Sequence, residues 1–391
     1  MDLLYNYFAH FTMVEWIVGI LFLLFFIIQL FFYIVIIRKP YQHNKIKNDS
    51  FIVNEELPSV SVIISTKNDS AELKKNLPYI LDQDYPNFEV VVVNSGSTDD
   101  TDIVLKAAEQ KYSNLYHTFI PEGADEINEK KLALTLGIKA AKNDVLLFTE
   151  AYCKPVSNNW IKEYGKEFAH GYDIVLGYCN LIFNKKRRLQ RFIRYDNLIQ
   201  HLKLLSLAIV GKPFMGIGRN MAYRKEVFFD NKGFSSILHY DGGEDDLYIN
   251  RIAKKRKTGV VVSKNSMTET NSVENFTTWR SLKSKYLYSK QFYKGSSSRI
   301  FGFETFSKYS FFILFISIIV ISFYTFNYIL SGLALSLFII RLIVQLIIIN
   351  KNSKLFDAGS YHINLMFYDI FQPLNNRRFR KYANRRNRYR R

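Results

Sequence analysis

The chain has 391 residues, a formal charge of +18, 48% hydrophobic and 16% aromatic content, and two cysteines. That length holds one large core or two modest ones, and the apolar share is high for a soluble protein. Cys153 and Cys179 are too few for a metal cage or a disulfide framework, and they read as reduced thiols of a cytosolic domain.

After a short segment over residues 1–13, residues 14–37, "VEWIVGILFLLFFIIQLFFYIVII", carry one acid at their edge and one Gln, and they predict a transmembrane helix. Its acidic, aromatic lead and the absence of a small-residue cleavage site distinguish it from a removed signal peptide. A linker over 38–57 and a soluble domain over 58–304 follow, and residues 309–329 and 331–350 predict two further transmembrane helices. Arg38, Lys39, Lys45 and Lys47 follow the first span, Lys308 precedes the second, and Lys351 and Lys354 follow the third. That distribution places the N-terminus outside, and the domain and the tail on the cytoplasmic side of the cell's inner membrane.

Within the domain, "VSVIIS" (60–65), "FEVVVVN" (88–94), "LYHTFI" and "DVLLFTE" predict strands. Helices alternate with them: one with Leu73, Leu77, Ile80 and Leu81 at helical spacing, then "TDIVLKAAEQKY", then "KKLALTLGIKAAK". This alternation predicts a mostly parallel sheet with helices on both faces. Ligands of such sheets sit beyond the C-terminal ends of the strands, where "STKND", "NSGSTDD" and "TEAYC" lie. Each turn alone reads as a capped, solvated loop, whereas three on one rim point to a binding cleft.

Two further clusters follow, "GKPFMGIGRNMAYRKEVF" (211–228) and "HYDGGEDDLYINRIAKK" (239–255). The first is a flexible loop on its own. The second sets Glu244, Asp245 and Asp246 at a helix start, where the helix dipole stabilises them whatever they do; crowded in a cleft, they also create a general base. Residues 184–210 predict an amphipathic helix suited to the membrane surface or to the core, and 277–294 an aromatic, basic helix leading to the bilayer. Arg341, inside the third span, is costly unless it meets a lipid-linked phosphate, pairs with Gln345 or snorkels. Residues 351–391 form a basic tail, and its end "RRFRKYANRRNRYRR" holds nine Arg or Lys and no acid. Directly after membrane spans, its partner is the anionic inner leaflet rather than nucleic acid, or its charge simply retains topology.

Taken in order, these clusters resemble the membrane-anchored family 2 glycosyltransferases common in bacteria, from Pro58 to about Lys294. The resemblance implies an α/β, GT-A (nucleotide-diphospho-sugar transferase) fold, Rossmann-like with a mostly parallel sheet, plus three transmembrane helices. "VSVIISTKND" is similar to the family's first strand and nucleotide-contacting turn, "LDQDYPNFEVVVVNSGSTDDT" to its Gln-x-Tyr-Pro stretch and base-and-ribose turn, and "EKKLALTLGIKAA" to its Lys-x-x-Ala-Leu helix. "GIGRNMAYRKEVF" and "GGEDDLYINR" are similar to its acceptor-side loop and Glu-Asp motif. The resemblance implies Asp245 as catalytic base with Glu244 tuning it. Ser65, Lys67, Asp69, Asn94, Ser95, Lys131, Glu150 and Tyr152 fall on the donor side, and Gly218, Arg219, Asn220 and Asp246 on the acceptor side.

The activity so implied is inverting transfer of a sugar, hexosyltransferase-like, from a nucleotide-diphosphate donor to a lipid-linked or cell-surface glycan acceptor in envelope polysaccharide synthesis. The family's Asp-x-Asp turn, which holds Mg²⁺ or Mn²⁺, reads Glu150-Ala151-Tyr152 here, leaving Glu150 as the candidate metal ligand. Asn94-Ser95 likewise stand where acids are usual. Three readings stay open: a divalent cation held by Glu150 and other groups, metal-free catalysis with Lys or Arg carrying the phosphate charge, or lost turnover in a homologue that partners an active transferase. Cations for the second are Lys67, Lys131, Lys154, Arg219, Lys283 and Lys285. The Gln-x-x-Arg-Trp string of processive synthases is absent, which disfavours a long-chain polymerase.

Overall fold

The computed structural model describes residues 11–49, 56–120, 129–183, 187–253, 256–273 and 275–388. The expected segment 1–13, the start of the helix expected from 184, and the last three tail residues lie wholly or partly outside these ranges.

Helix α1 (Met13–Phe31) opens with a capping box between Thr12 and Glu15, passes through one π-helical stretch (Phe32–Ile37), and continues as α2 (Lys39–Asp49). The first part of the expected linker is therefore helical. The domain then builds β1 (Val60–Thr66), α3 (Ser70–Leu81), β2 (Phe88–Ser95), α4 (Thr101–Lys111), β3 (Leu115–Ile120), α5 (Glu129–Ala140) and β4 (Val145–Glu150) in strict alternation. Strands β1, β2, β3 and β4 pair in parallel, with Ser65 opposite Glu150 and Thr66 opposite Asn94, so three strand ends share one rim.

The second half adds β5 (Lys154–Pro155), α6 (Trp160–Ala169), β6 (Ile174–Leu176), β7 (Cys179–Leu181), α7 (Arg188–Ile209), β8 (Met221–Arg224), α8 (Lys225–Asp230), α9 (Asp246–Ile252), β9 (Thr258–Val260) and β10 (Thr268–Thr270). The main sheet has the order β3-β2-β1-β4-β8-β6-β9, with β8 antiparallel to both neighbours; β5, β10 and β7 form a small second sheet. The expected mixed α/β architecture with a mostly parallel sheet is thus present.

Apolar runs buried on both faces make these strands. Val60, Val62 and Ile64 pack with Leu73, Leu77 and Trp160, while Ile63 faces the opposite core with Val91 and Ile138. Each such side chain contributes about 1.5–3 kcal/mol by leaving water. Helix α5 lies close on β1 and β2 because Gly137 has no side chain: a Cβ there would come within 2.9 Å of Ile63. Helix α7 is buried around most of its circumference, which selects the core rather than the membrane surface for that segment.

Helix α10 (Phe276–Ser289) leads to α11 (Ser297–Tyr324), α12 (Tyr328–Leu355) and α13 (Asn364–Arg388). Three helices, Met13–Ile46, Arg299–Tyr324 and Tyr328–Leu355, are long and apolar enough to cross a membrane. The turn between the second and third falls at 325–327, slightly earlier than expected. The core of the domain is continuous with Phe32, Tyr33, Ile36 and Ile37 of the first helix and with Ile348 and Ile349 of the last span.

Arg341 is buried and pairs with Gln345 (3.2 Å), one of the expected alternatives, but also with Gln29 and Asp369 (2.9 Å each). Lys308 joins Asp369 (2.6 Å) and Glu304 (2.9 Å), so the charge expected to flank the second span is neutralised inside the protein. Along its described length the basic tail is a helix docked on the rest of the protein. Helix α13 is fixed by Asp369, by Gln372 donating to Asp196 (2.8 Å), and by Phe379 edge-on to Trp279.

Candidate active site at the strand ends

The turns after β1 and β2 are laced together. Asn68 takes a left-handed φ of 56°, its N–H donates to Ser97 Oγ (2.9 Å), and its side-chain oxygen accepts from the Thr98 N–H (2.8 Å). Asp69 accepts from Thr66 Oγ1 (3.0 Å) and the Lys67 N–H (3.2 Å). Asn94 accepts from the Ser97 N–H (3.1 Å) and so shapes the turn. Ser95 differs: its hydroxyl is buried without a partner and borders a cleft of about 360 Å³. Ser65, Lys67, Asp69, Lys131, Glu150 and Glu244 line the same cleft, so most of the expected donor-side residues converge there.

At its floor Lys130, the neighbour of the expected Lys131, contacts Glu150 (2.6 Å) and Glu244 (3.4 Å). Burial opposes its charge, but these two carboxylates outweigh burial and hold its pKa well above the ordinary value. Lys131 lines the cleft as well, but its ammonium donates to the Tyr240 carbonyl and fastens the loop before Glu244. Tyr152 is half-buried, and burial with the nearby Glu150 keeps its phenol neutral.

Asp245 borders a narrow gap beside this cleft, together with Ser65, Lys130, Glu150 and Glu244. Its Oδ2 accepts from the Gly218 N–H and from Tyr286 OH on α10 (2.8 Å each), and its Oδ1 from the Asp246 N–H (2.7 Å). Gly218 permits that approach, since a Cβ there would lie 3.3 Å from the carboxylate. Burial first, and Glu244 second, raise the pKa of Asp245. Glu244 itself is held below the ordinary carboxylate range: burial works against this, but Lys130, Lys131 and Lys285 prevail. Two adjacent acids with displaced affinities are the pattern of a base and its charged neighbour.

Several residues expected on the acceptor side belong to the core. Asp246 is buried and accepts from the Leu247 N–H (2.7 Å), Tyr293 OH (2.6 Å) and Ser289. Asn220 accepts from Trp160 and Tyr164 and donates to the carbonyls of Tyr178 and Ser266, which exhausts its amide. Arg219 is buried, with two of its nitrogens unpartnered. Asp246 and Asn220 shape the site from beneath, because their hydrogen-bonding groups are turned into protein. Among the other candidate cations, Lys154 pairs with Glu269 (2.9 Å), Lys283 with Asp196 (2.8 Å) and Lys67 with Glu129 (2.9 Å). Both cysteines are buried free thiols.

A divalent cation needs several oxygen ligands. Glu150 offers one carboxylate already engaged by Lys130, Tyr152 offers a neutral phenol, and no group of three or more His, Cys, Asp or Glu among the described residues is placed to hold a metal ion. By itself, without the oxygens of a donor phosphate, this donor set does not complete the shell of a divalent ion.

Tyr286 also lines a second cleft, of about 460 Å³, between α7, α10, the start of α11 and α13. Its walls combine Phe214, Met215 and Phe301 with Lys203, Lys290 and Arg380. Burial and the neighbouring Lys203, Lys283 and Arg380 push Lys290 down to about 8.

The sheet and its rim have the GT-A type of fold. Residues 61–230 match the family model described as Glycosyl transferase family 2. The chain is 30% identical over 192 residues to Glycosyltransferase AglE of Haloferax volcanii, an alignment taking in 48% of this chain and 59% of the relative, less than two thirds of its length. In fold it is similar to a mannosyltransferase, PcManGT of Pyrobaculum calidifontis, solved with GDP-Man and Mn2+: 16% identity, 87% of this chain, 98% of that one, TM-score 0.53. It is also similar to TarS of S. aureus solved with UDP-GlcNAc: 17% identity, 66% of this chain, 73% of that one, TM-score 0.42.

Proposed function

We propose that the chain is an inverting glycosyltransferase anchored in the cytoplasmic membrane, with its domain on the cytoplasmic side. It moves a sugar from a nucleotide-diphosphate donor to a lipid-linked or cell-surface glycan acceptor. The observation that carries this reading is the position of Asp245. Its neighbour Glu244 borders the donor-side cleft, and its hydrogen-bond partner Tyr286 borders the basic, apolar cleft at the start of the second span.

In the reaction the acceptor hydroxyl attacks the anomeric carbon from the face opposite the diphosphate. Asp245 takes the hydroxyl proton as the new C–O bond forms, and the bond to the diphosphate breaks with its electron pair leaving on the phosphate oxygen. Three donors hold the carboxylate in place, and burial beside Glu244 makes it a stronger base than a solvated one. The second cleft suits an amphipathic, anionic acceptor, with cations for a phosphate and aromatic walls for a lipid chain.

Asp245→Asn, assayed in the full chain in lipid bilayers with UDP- and GDP-sugars, is expected to lower transfer about 10²–10⁴-fold while leaving donor binding intact. Transfer at the native rate would remove Asp245 from the chemistry. Tyr152 at the position of the family's second acid favours the other reading, a weakened homologue that partners an active transferase. That reading expects Asp245→Asn to leave cellular glycan unchanged while loss of the chain alters it.

A further inference from the structure

We propose that the donor's diphosphate is held by protein cations in the role the fold otherwise gives to a divalent ion: Lys130 on the floor, with Lys285 of α10 and Arg386 of α13 closing the cleft from the membrane-anchored side. The proposal rests on the transferase reading above and names the groups that make its donor site work.

Charge around the cleft is the first support. Five acids line it, Asp69, Glu129, Glu150, Asp241 and Glu244, against Lys67, Lys130 and Lys131 from the sheet side. Each of those lysines has a protein partner, Lys67 in Glu129, Lys130 in Glu150 and Glu244, Lys131 in a carbonyl, and only Lys130, partly exposed on the floor, is shared between its carboxylates and the diphosphate. A rim with that excess of acid repels a diphosphate. Lys285 and Arg386 bring it to balance, and neither has an ion-pair partner within 4.0 Å among the described residues, so both are available to an anion. Arginine suits this task because its planar fork matches two phosphate oxygens at once.

The second support is how Arg386 arrives. Helix α13 is anchored at Asp369 by Arg341 and Lys308 of the spans, at Gln372 by Asp196, and at Asn384 by a reciprocal pair of hydrogen bonds with Gln291 (2.7 and 3.2 Å). From Asp369 to Arg386 the helix runs about 25 Å, at 1.5 Å per residue. A helix held along its length delivers its last described turn to a fixed place, and that place is the donor cleft. The third support is the unpartnered, buried hydroxyl of Ser95 on the same cleft. As the diphosphate leaves with the electron pair of the broken C–O bond, these cations take up its growing charge.

The test uses the full chain in lipid nanodiscs and measures equilibrium binding of UDP and GDP, each in EDTA and in Mn²⁺. The native chain is expected to bind one of the two nucleotides equally well in both conditions. Lys285→Ala with Arg386→Ala should weaken that binding about 10–100-fold, the loss of one to two charge-assisted hydrogen bonds. Arg386→Lys should recover part of it, and Lys381→Ala, an exposed cation on the same helix outside the cleft, should change nothing. Thermal unfolding of each variant separates lost binding from lost fold. The proposal is overturned if EDTA abolishes native binding and Mn²⁺ restores it, or if the folded double variant binds as tightly as the native chain. Failure of the native chain to bind UDP, GDP or their sugar conjugates in either condition overturns the transferase reading itself, and this proposal with it.

Discussion

At the ends of β1, β2 and β4, charged and polar groups stand around an open cleft, and several keep a face toward it. On the membrane side, Glu304, Lys308, Arg341 and Asp369 are all buried, and each charge is answered by another within hydrogen-bond reach. The same residue types therefore do two jobs. Partly exposed charges at strand ends remain free to exchange a protein partner for a ligand, while the buried set fixes how α11, α12 and α13 sit together. A buried charge is tolerated only with its partner present, which makes the second set a specification of geometry more than a source of net stability.

The largest expected effect comes from breaking the buried set. Asp369→Ala leaves Arg341 and Lys308 charged without their shared carboxylate, at an expected cost of about 3–5 kcal/mol. Thermal unfolding of the full chain in nanodiscs measures the cost, and limited trypsin digestion reports whether α13 is released. Adding Arg341→Met should return part of the loss, because one of the stranded charges goes with it. Unchanged stability in Asp369→Ala would mean that water reaches this cluster, and the contrast with the rim would fall.

At the rim the effect should appear in titration instead. In the proposed reaction Asp245 is a base only when ionised, and its pKa is raised by burial and by Glu244, so transfer is expected in full above that raised value and lost as pH falls through it. Glu244→Gln removes the negative neighbour, which lowers the affinity of Asp245 for its proton and moves the acid limb of the pH–rate profile to lower pH. A limb that stays in place would uncouple the two acids, and one that moves upward would reverse the assigned electrostatics.

The two regions were not equally legible in the sequence. Strands buried on both faces are continuous apolar runs, and the turns after them carry their polar residues in fixed order, so the sheet and its polar rim could be read from local pattern. Lys130 could not be separated from Lys131, because successive residues on a helix point about 100° apart and spacing alone does not say which meets the Glu150 and Glu244 carboxylates. Tyr286 and Arg386 reach their sites from 41 and roughly 140 residues beyond Asp245 in the chain, and no local pattern encodes such contacts. One signal was present and unused: an arginine inside a span calls for a counter-charge, and Asp357 and Asp369 are the acids that follow it.

The smallest expected effect marks the edge of the cleft. Lys154 follows the Glu150 turn by a few residues and from sequence alone is a natural phosphate ligand, but its side chain pairs with Glu269 (2.9 Å) and lies over the Tyr79 ring (5.1 Å) instead. Partly exposed, that pair is screened by solvent, so Lys154→Ala should cost less than about 1 kcal/mol in unfolding experiments. Nucleotide affinity should not change, since Lys154 is absent from the residues that line the donor cleft. A tenfold loss of UDP or GDP binding in this variant would place Lys154 on the diphosphate, and the cleft would then extend past Tyr152 along β5.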